Sequence, residues 1–339
     1  MMKYTVIIIV SLLSLNTWGQ DFHYSQIDKS LALFNPAMTS AFDGYEKVST
    51  QHRQQWIGAG THFATTSVLG EMSIGKKPGK EKPYLGVGIF FTNDVGGDSK
   101  LTNNVGGLTA SGNIPISEGH WLSAGIQTSF NSRSADFSRL VFYNQWNGTA
   151  FDPSLNSGEM NQKAAFTYVD ASLGLAYRFQ KSRNVKYKSK DNSFQLGGSF
   201  QHVNQPELRF SGLTEDKLYM KVCLHTNLRI GINSFSGLGF TGYQFFQGKH
   251  KETNLGLFYI LHLKDIQRLT SVANERNLNL GVYVRIPGSF APYVGLDLGN
   301  FKFGISYDHT MGLAGTAYKH SVEVNMSYMV SRRSIFKGR

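Results

Sequence analysis

The chain has 339 residues, enough for one large domain or two ordinary ones, and it carries a formal net charge of +11. Its 36 Gly and 13% aromatic residues, with 8 Pro, are typical of strands and tight turns rather than of a disordered chain. The single cysteine, Cys223, excludes an internal disulfide and a cysteine metal cage. The mature chain has no apolar run near 20 residues, which excludes a polytopic helical membrane protein.

The N-terminus has the features of an export signal. Lys3 precedes an apolar run of about ten residues that ends at Leu15 and is too short to span a bilayer. The small residues Thr17 and Gly19 favour cleavage after residue 19. We therefore predict a signal peptide over 1–19 and an exported mature chain. An uncleaved anchor is the alternative.

Alternation of apolar and polar residues is the main signal in the rest of the chain. Phe301, Phe303 and Ile305 alternate with Lys302 and Gly304, as in a strand with one apolar face. Such segments reach about 10 to 16 residues, whereas soluble strands usually stop at about 5 or 6. A tilted strand that crosses a bilayer needs about 9 to 11 residues. Because a sheet in lipid must close, we predict an all-β chain that forms a transmembrane antiparallel β-barrel, with a secreted β-sandwich as the alternative.

About fourteen strands are predicted from these patterns and the turns between them. An even count returns the chain to the side on which it starts, which in bacterial barrels is the periplasm. We therefore expect periplasmic N- and C-termini, an N-terminal periplasmic segment over 20–45, an outer-membrane barrel over 46–330 and a basic periplasmic tail over 331–339. The longest connection, 132–163, then lies outside the cell. The strands are expected near 46–57, 61–74, 83–93, 101–114, 119–131, 164–180, 192–204, 217–232, 234–246, 251–263, 276–286, 289–298, 300–309 and 318–330.

Positive charge gathers on the predicted periplasmic rim. It forms a candidate docking ring for an acidic periplasmic partner. The alternative is that these residues lie in solvated turns that contact acidic lipid head groups. Nucleic acid is not expected as a partner, because the protein is exported and its basic runs lack interleaved stacking aromatics. The candidate docking residues are Lys181, Arg183, Lys186, Lys188 and Lys190.

Short motifs along most of the mature chain, in this order and spacing, resemble the PorP/SprF family of outer-membrane proteins in type IX secretion. They are QDFHYSQ at 20–26, LFNPA at 33–37, QHRQQW at 51–56, GVGIFFTNDVGG at 86–97, DASLGLAY at 170–177, GGSFQHVNQP at 197–206 and YDHTMGLAGTAYKHSVEV at 307–324. The resemblance implies an outer-membrane barrel that supports secretion or surface attachment of adhesin-type cargo. Its implied partners are the C-terminal domain of that cargo, other secretion components and outer-membrane lipid. A general machine component and a cargo-specific partner both remain open.

The turn signals and polar faces supply candidate contacts with the lumen or a partner. Asn35 and Pro36 form a turn before the first strand, where they could fold the N-terminal segment against or into the barrel mouth. Asp94 with the following glycines is predicted to be an extracellular turn. The full candidate set is Asn35, Pro36, Arg53, Gln55, Trp56, Asp94, Asp170 and Asp308.

Within this set, Arg53 is expected to form an ion pair. Arg53 and Gln55 share one face of the first strand, and a lumen-facing arginine usually pairs with a carboxylate such as Asp170 or Asp308. Two roles are left open for Arg53. One is an internal salt bridge that stiffens the barrel, and the other is a contact with cargo.

The sequence offers little for catalysis. Its ten His show no H-E-x-x-H spacing, and there is no G-x-S-x-G elbow or phosphate loop. Asp308 and His309 could approach His320 and Glu323 across a hairpin, but we do not favour a metal site there. We predict no enzymatic activity and no cofactor. The alternatives are a transporter of hydrophobic solutes, which the inward Gly, Ser, Asn, Arg and Asp disfavour, and a structural surface barrel without cargo.

Overall fold

The computed structural model describes residues 21–58, 63–77, 80–158, 163–180, 192–208, 216–233, 235–263, 276–286, 288–311 and 320–330. In this part of the chain, fourteen strands form one closed antiparallel barrel in which the first strand pairs with the last. No helix in the described residues is long and apolar enough to cross a membrane. The predicted all-β antiparallel barrel of about fourteen strands is confirmed.

The strands are numbered β1 to β16 in chain order, and two of them, β8 (Glu207–Leu208) and β9 (Asp216–Lys217), pair with each other outside the barrel. The barrel strands are β1 (Glu46–Gln55), β2 (Phe63–Ile74), β3 (Tyr84–Gly96), β4 (Leu101–Ser117), β5 (His120–Asp136), β6 (Lys163–Gln180), β7 (Ser193–Gln201), β10 (Lys221–Asn233), β11 (Ser236–Gln247), β12 (His250–His262), β13 (Arg276–Ile286), β14 (Ser289–Leu298), β15 (Phe301–Thr310) and β16 (His320–Val330). Short 3-10 helices cover Ile27–Lys29, Leu31–Leu33, Pro36–Met38, Phe137–Arg139 and Tyr143–Gln145.

Because neighbouring strands run in opposite directions, successive connections alternate between the two ends of the barrel. At the near end, β1 begins and β16 ends, and the connections after β2, β4, β6, β10, β12 and β14 lie there as well. At the far end lie the connections after β1, β3, β5, β7, β11, β13 and β15. The long connection between β5 and β6, at 137–162, is therefore at the far end.

The two faces of the wall differ as the alternation predicted. Large apolar side chains such as Ile89, Ile126 and Leu175 are exposed on the outside, where they form an apolar belt. Polar side chains such as Thr92 and Ser172 are buried on the inside. This pattern is the reverse of a soluble protein and is typical of a barrel that faces lipid.

Several strands extend further at the far end than the sequence indicated. β5 continues to Asp136 rather than stopping near 131, and β3 continues to Gly96. Beyond Phe130, β5 has polar residues on both faces, for instance Asn131 inside and Ser132 outside, and this composition is also typical of a loop. These residues are strand because they pair with both β4 and β6.

The N-terminal residues 21–45, which we call the plug, run through the lumen. Asp21 contacts His202, which follows β7 toward the far end, while the backbone carbonyl of Phe42 accepts from Lys76 in a near-end connection. Between these points most of the plug is buried, and Tyr24 and Ala37 are fully buried. The turn at Asn35 and Pro36 predicted that this segment could lie against or in the barrel mouth, whereas it runs along the lumen.

Candidate functional site: the plugged lumen

The first contact of the plug is an ion cluster toward the far end. His202 lies between two carboxylates, with its Nε2 atom 2.7 Å from Asp21 and its Nδ1 atom 2.8 Å from Asp170. The Lys221 ammonium lies 3.6 Å from the same Asp21 carboxylate. Burial alone would lower the pKa of His202, but the two carboxylates outweigh it and raise that pKa to about 9. At neutral pH the imidazolium therefore ties the start of the plug to β6.

A second cluster, which we call the Arg53 cluster, lies on the lumenal face of β1, β15 and β16. Arg53 donates to Asp308 at 3.0 Å and to Glu323 at 3.0 Å, and all three side chains are buried. Arg285 on β13 adds a longer contact of 3.3 Å to Asp308. Of the two carboxylates predicted for Arg53, Asp308 is its partner and Asp170 is not, because Asp170 is bound to His202.

The Arg53 cluster also holds the plug. Glu323 accepts the backbone N–H groups of Ser25 at 2.7 Å and Gln26 at 2.8 Å, and the Ser25 hydroxyl donates to Asp308 at 2.9 Å. Each of these two carboxylates thus bonds the wall and the plug at once. Charge-assisted hydrogen bonds of this kind are about twice as strong as neutral ones, so the contact fixes the plug's path.

Asn35 and Pro36 lie at the middle of the plug. The Asn35 side chain accepts the Ala37 N–H at 3.0 Å, which caps the short helix Pro36–Met38, and Pro36 occupies its first position. The amide of Asn35 donates to the Leu175 carbonyl at 3.1 Å and lies 2.9 Å from Nε2 of His225. The turn predicted from these two residues therefore forms inside the lumen and bonds to the wall.

Glycines in the wall leave room for this turn. At Gly174 a Cβ atom would overlap the Asn35 side chain, and at Gly125 it would overlap the backbone of Pro36. Any larger residue at these positions would push the plug away from the wall. Part of the high glycine content of the chain is therefore explained by the close approach of the plug to the wall of the barrel.

At the near end the plug is held by further polar contacts. Glu71 accepts the Ser40 N–H at 2.9 Å and pairs with Lys47 at 2.6 Å, while the Tyr84 hydroxyl donates to the Ser40 carbonyl at 3.1 Å. Arg178 donates to that hydroxyl at 3.1 Å. Both ends and the middle of the plug are thus bonded to different sides of the barrel.

The remaining sequence candidates lie elsewhere. Asp94 is within β3, not in a turn, and accepts from Thr65 at 2.6 Å. Trp56 follows β1 with a positive φ of 60° and packs edge-on against Phe63, with ring centroids 4.8 Å apart. Gln55 ends β1 opposite the same Phe63. The structure does not bring these residues to the Arg53 cluster.

Some of the predicted segments and residues lie outside the described part of the chain. They are the signal peptide at 1–19, the basic tail at 331–339 and the docking candidates Lys181, Arg183, Lys186, Lys188 and Lys190.

Sequence reasoning missed several residues of the site. Ser25, Gln26, Gln51, His202 and Glu323 were not proposed as contacts, although Gln51 donates to Glu323 at 2.7 Å. A signal was present, since all five belong to the quoted motifs. A prediction of which motifs contact each other in space would have identified these five residues.

The described residues contain no group of three or more His, Cys, Asp and Glu side chains arranged to hold a metal ion. Asp308 and Glu323 face the lumen. His309 and His320 lie on the outward face of the same two strands, with their rings 5.9 Å apart. A cavity of about 340 Å³ lies beside the plug at the near end, and Lys29, Asp297 and Lys302 are among its lining residues.

A closed barrel with an apolar outer belt, a polar lumen and a buried N-terminal plug is an outer-membrane β-barrel. The family model described as type IX secretion system membrane protein PorP/SprF matches residues 16–328. The chain therefore belongs to the PorP/SprF family, as its motifs predicted.

Solved structures resemble the chain in fold. A mutant of the TodX monoaromatic hydrocarbon channel is 9% identical, with a TM-score of 0.50 over 90% of this chain and 94% of that chain. The toluene transporter TbuX of Ralstonia pickettii is 10% identical, with a TM-score of 0.47 over 89% of this chain and 94% of that chain. The translocator domain of autotransporter NalP from Neisseria meningitidis is 11% identical, with a TM-score of 0.40 over 96% of this chain and 94% of that chain. A search of curated proteins found no significant match.

Proposed function

We propose that this protein is a non-enzymatic barrel that supports secretion or surface attachment of adhesin-type cargo by binding the cargo, other secretion components, or both. Membership of the PorP/SprF family supports the secretion role. The observation that carries the binding role is the plug, because hydrogen bonds to buried carboxylates hold it at the Arg53 cluster and an ion pair holds it at His202. A lumen filled in this way favours protein binding at the two ends over passage of solutes.

The near end is the proposed docking site for an acidic periplasmic partner. Its basis is the run of cations in the connection 181–191, as read from the sequence. Replacing Lys181, Lys186 and Lys190 by Gln should weaken the recovery of such a partner. Recovery by the unmodified protein should fall as salt is added, whereas recovery by the variant should not depend on salt. Unchanged recovery would mean that these cations are only solvated or bound to lipid.

Transport of hydrophobic solutes is the second candidate function. Its support is the fold likeness to hydrocarbon channels, which concerns the fold alone. The polar side chains that line the lumen oppose it. Uptake of a fatty acid or an aromatic hydrocarbon by liposomes that carry the purified protein would favour this candidate.

The test of the main proposal is a deletion strain. We expect one or more adhesins to remain unsecreted or unattached while uptake of small solutes stays normal, and the full-length gene should restore both secretion and attachment. Normal export and display of every cargo would overturn the proposal. Affinity purification from membranes that recovers no secretion component would favour a structural barrel.

A further inference from the structure

The outer face of β1 is polar from its middle to its far end. Gln51 and Arg53 are buried on the lumenal side of this strand, so the residues that alternate with them face outward. These outward residues are Thr50, His52 and Gln54, and we call them the polar strip. The residues opposite them on β16 are the apolar Met326, Val324 and Val322. The apolar belt is thus interrupted at the strand where the barrel closes.

The polar strip lies at the depth of the apolar belt. The ten residues of β1 rise roughly 23 Å, at about 3.4 Å per residue and a tilt of about 40°. This rise is close to the height of a lipid-facing band, which is about 25 Å. His52 is three residues from the far end of β1 at Gln55, so it lies roughly 8 Å inside that band. Its neighbour Val324 is exposed, as expected for a side chain that faces lipid.

Part of the hydrogen-bonding capacity of the polar strip is unused. Nδ1 of His52 lies 2.8 Å from the Thr66 hydroxyl on β2, and this contact satisfies one side of the ring. Among the described residues, Nε2 of His52 and the side-chain amide of Gln54 have no hydrogen-bond partner. The hydrocarbon of a bilayer offers none either, so polar side chains at this depth usually face protein. The polar strip therefore indicates a protein contact within the membrane.

The wall beside the polar strip permits close approach. On β2, Ala64 lies opposite Gln54 and Thr66 lies opposite His52. Both of these side chains are small, and small residues are typical of contacts between membrane-spanning elements because they let two backbones come close together. A second wall can therefore come near enough to share hydrogen bonds with His52 and Gln54.

We propose that the polar strip is the contact surface between two copies of this chain in the outer membrane. Copies that insert in the same direction are related by a two-fold axis along the membrane normal, so each residue meets its counterpart at the same depth. The polar strip of one copy then faces the polar strip of the other. His and Gln side chains both donate and accept hydrogen bonds, so His52 and Gln54 can pair with their counterparts.

The occupant is a second copy because its depth is matched by symmetry. A different membrane protein would need polar side chains of its own at the depth of His52 and Gln54. The contact uses the outer wall and leaves both ends of each barrel outside it, so the pairing goes beyond the proposed function and does not rest on it.

The test is photo-crosslinking in the full-length protein in its native membrane. Val48 is exposed next to the polar strip, so replacing it by p-benzoylphenylalanine leaves the strip intact. We expect an adduct between two copies, with the crosslinked peptide in β1 or β2. His52→Leu combined with Gln54→Leu removes the donors and acceptors and should reduce this adduct about fivefold or more.

Two controls accompany this measurement. His52→Gln combined with Gln54→Asn keeps polar side chains at both positions and should leave the yield within about twofold. Leu224 on β10 is exposed on the opposite side of the barrel, and p-benzoylphenylalanine there should give adducts with lipid but none between copies.

The other outcomes each overturn the proposal. They are an adduct of the Val48 variant with lipid alone, an adduct with a different protein, equal adducts between copies from Val48 and Leu224, or equal yields from the Leu and polar pairs. If the Leu pair does not fold, the position of the peptide crosslinked to Val48 decides, since any site outside β1 and β2 refutes the contact. A secretion defect in the deletion strain without an adduct between copies would refute the contact and leave the proposed function standing. An adduct between copies with normal export of every cargo would do the reverse.

Discussion

Arg53 shows how one residue can connect the wall of the barrel to its contents. It neutralises Asp308 and Glu323, which in turn bind backbone and hydroxyl groups of the plug. Burying three charged groups is costly, so the cluster is stable only as a complete set. Removal of one member should therefore matter more than its own contacts suggest.

The first prediction concerns this charge balance. Arg53→Met should destabilise the folded barrel by about 3–5 kcal/mol, because it leaves the buried Glu323 without its cation and Asp308 with only the longer contact to Arg285. The free energy of unfolding is measured in lipid or detergent by urea titration, following the electrophoretic mobility of the folded form. The control is Gln54→Met on the exposed outer face of the same strand, which should change stability by no more than about 0.5 kcal/mol. Equal effects of the two variants would contradict the role given to Arg53.

The second prediction concerns the close approach at Gly174. Gly174→Ala should cost about 1–3 kcal/mol and loosen the plug, since the added methyl group overlaps the Asn35 side chain. Trypsin cleavage after Lys29 measures how often the plug leaves the lumen. Gly112→Ala is the matched control, because nothing lies within 4 Å of a Cβ atom at that position. Cleavage at the same rate in both variants would show that the plug does not press on Gly174.

At the scale of elements, the plug has no long helix or strand and depends on the barrel for its hydrogen bonds. Its three short helices have apolar side chains such as Ile27 and Ala37 buried against the wall, while its polar groups bond to several strands. Its start is bound through a titratable group, because the imidazolium of His202 is shared by Asp21 and Asp170.

The third prediction follows from the raised pKa of His202. Its folded pKa of about 9 exceeds the usual value of about 6.5, so its stabilising effect is complete below about pH 6.5 and is lost as pH rises through about 9. Asp21, Asp170, Lys221 and Arg133 are the other charged groups around this site. His202→Gln should lower stability at pH 7 and flatten its decline between pH 7 and 10, as measured by urea titration. His52→Gln, on the exposed outer face of β1, should keep the decline of the unmodified protein.

The elements also show what the sequence could and could not predict. Alternation is local, so strands such as β13 and β14 were placed at their observed bounds from about ten residues each. The path of the plug depends on contacts such as Asn35 with Gly174, between residues far apart in the chain, and no local pattern encodes them. The candidate Asp308 was identified because a lumenal arginine needs a carboxylate. Asp170 was assigned the wrong partner because alternation places His202 on the outward face of the predicted strand 192–204, whereas β7 ends at Gln201 and His202 bonds to Asp170.

At the scale of the whole molecule, the barrel has two unlike ends and a filled interior. The near end has a cavity beside the plug with both charged and apolar lining residues, and at the far end β5 extends beyond the apolar belt to a loop with exposed aromatic side chains. This asymmetry suits a protein that binds different partners at its two ends better than it suits a symmetric pore.

The fourth prediction concerns the filled lumen. The intact protein should show little ion conductance in a planar bilayer, whereas a chain without residues 21–41 should conduct steadily, because those residues occupy the lumen. Equal conductance of the two proteins would mean that the plug is not what closes the barrel. The folded mobility of the shortened chain must be checked first, since Asp308 and Glu323 lose partners in it.

The position of Arg53 and Glu323 also bears on the order of assembly. They are opposite each other in the pairing of β1 with β16, which is the pairing that completes the circle of strands. Glu323 is 298 positions from Ser25 along the chain, so their contact is among those that form late, after most of the entropy of ordering the chain has been lost. A chain halted before its last strand would hold an open sheet and an N-terminal segment that lacks its contacts with Glu323. Closing the circle of strands and completing the contacts of the plug at the Arg53 cluster are therefore coupled.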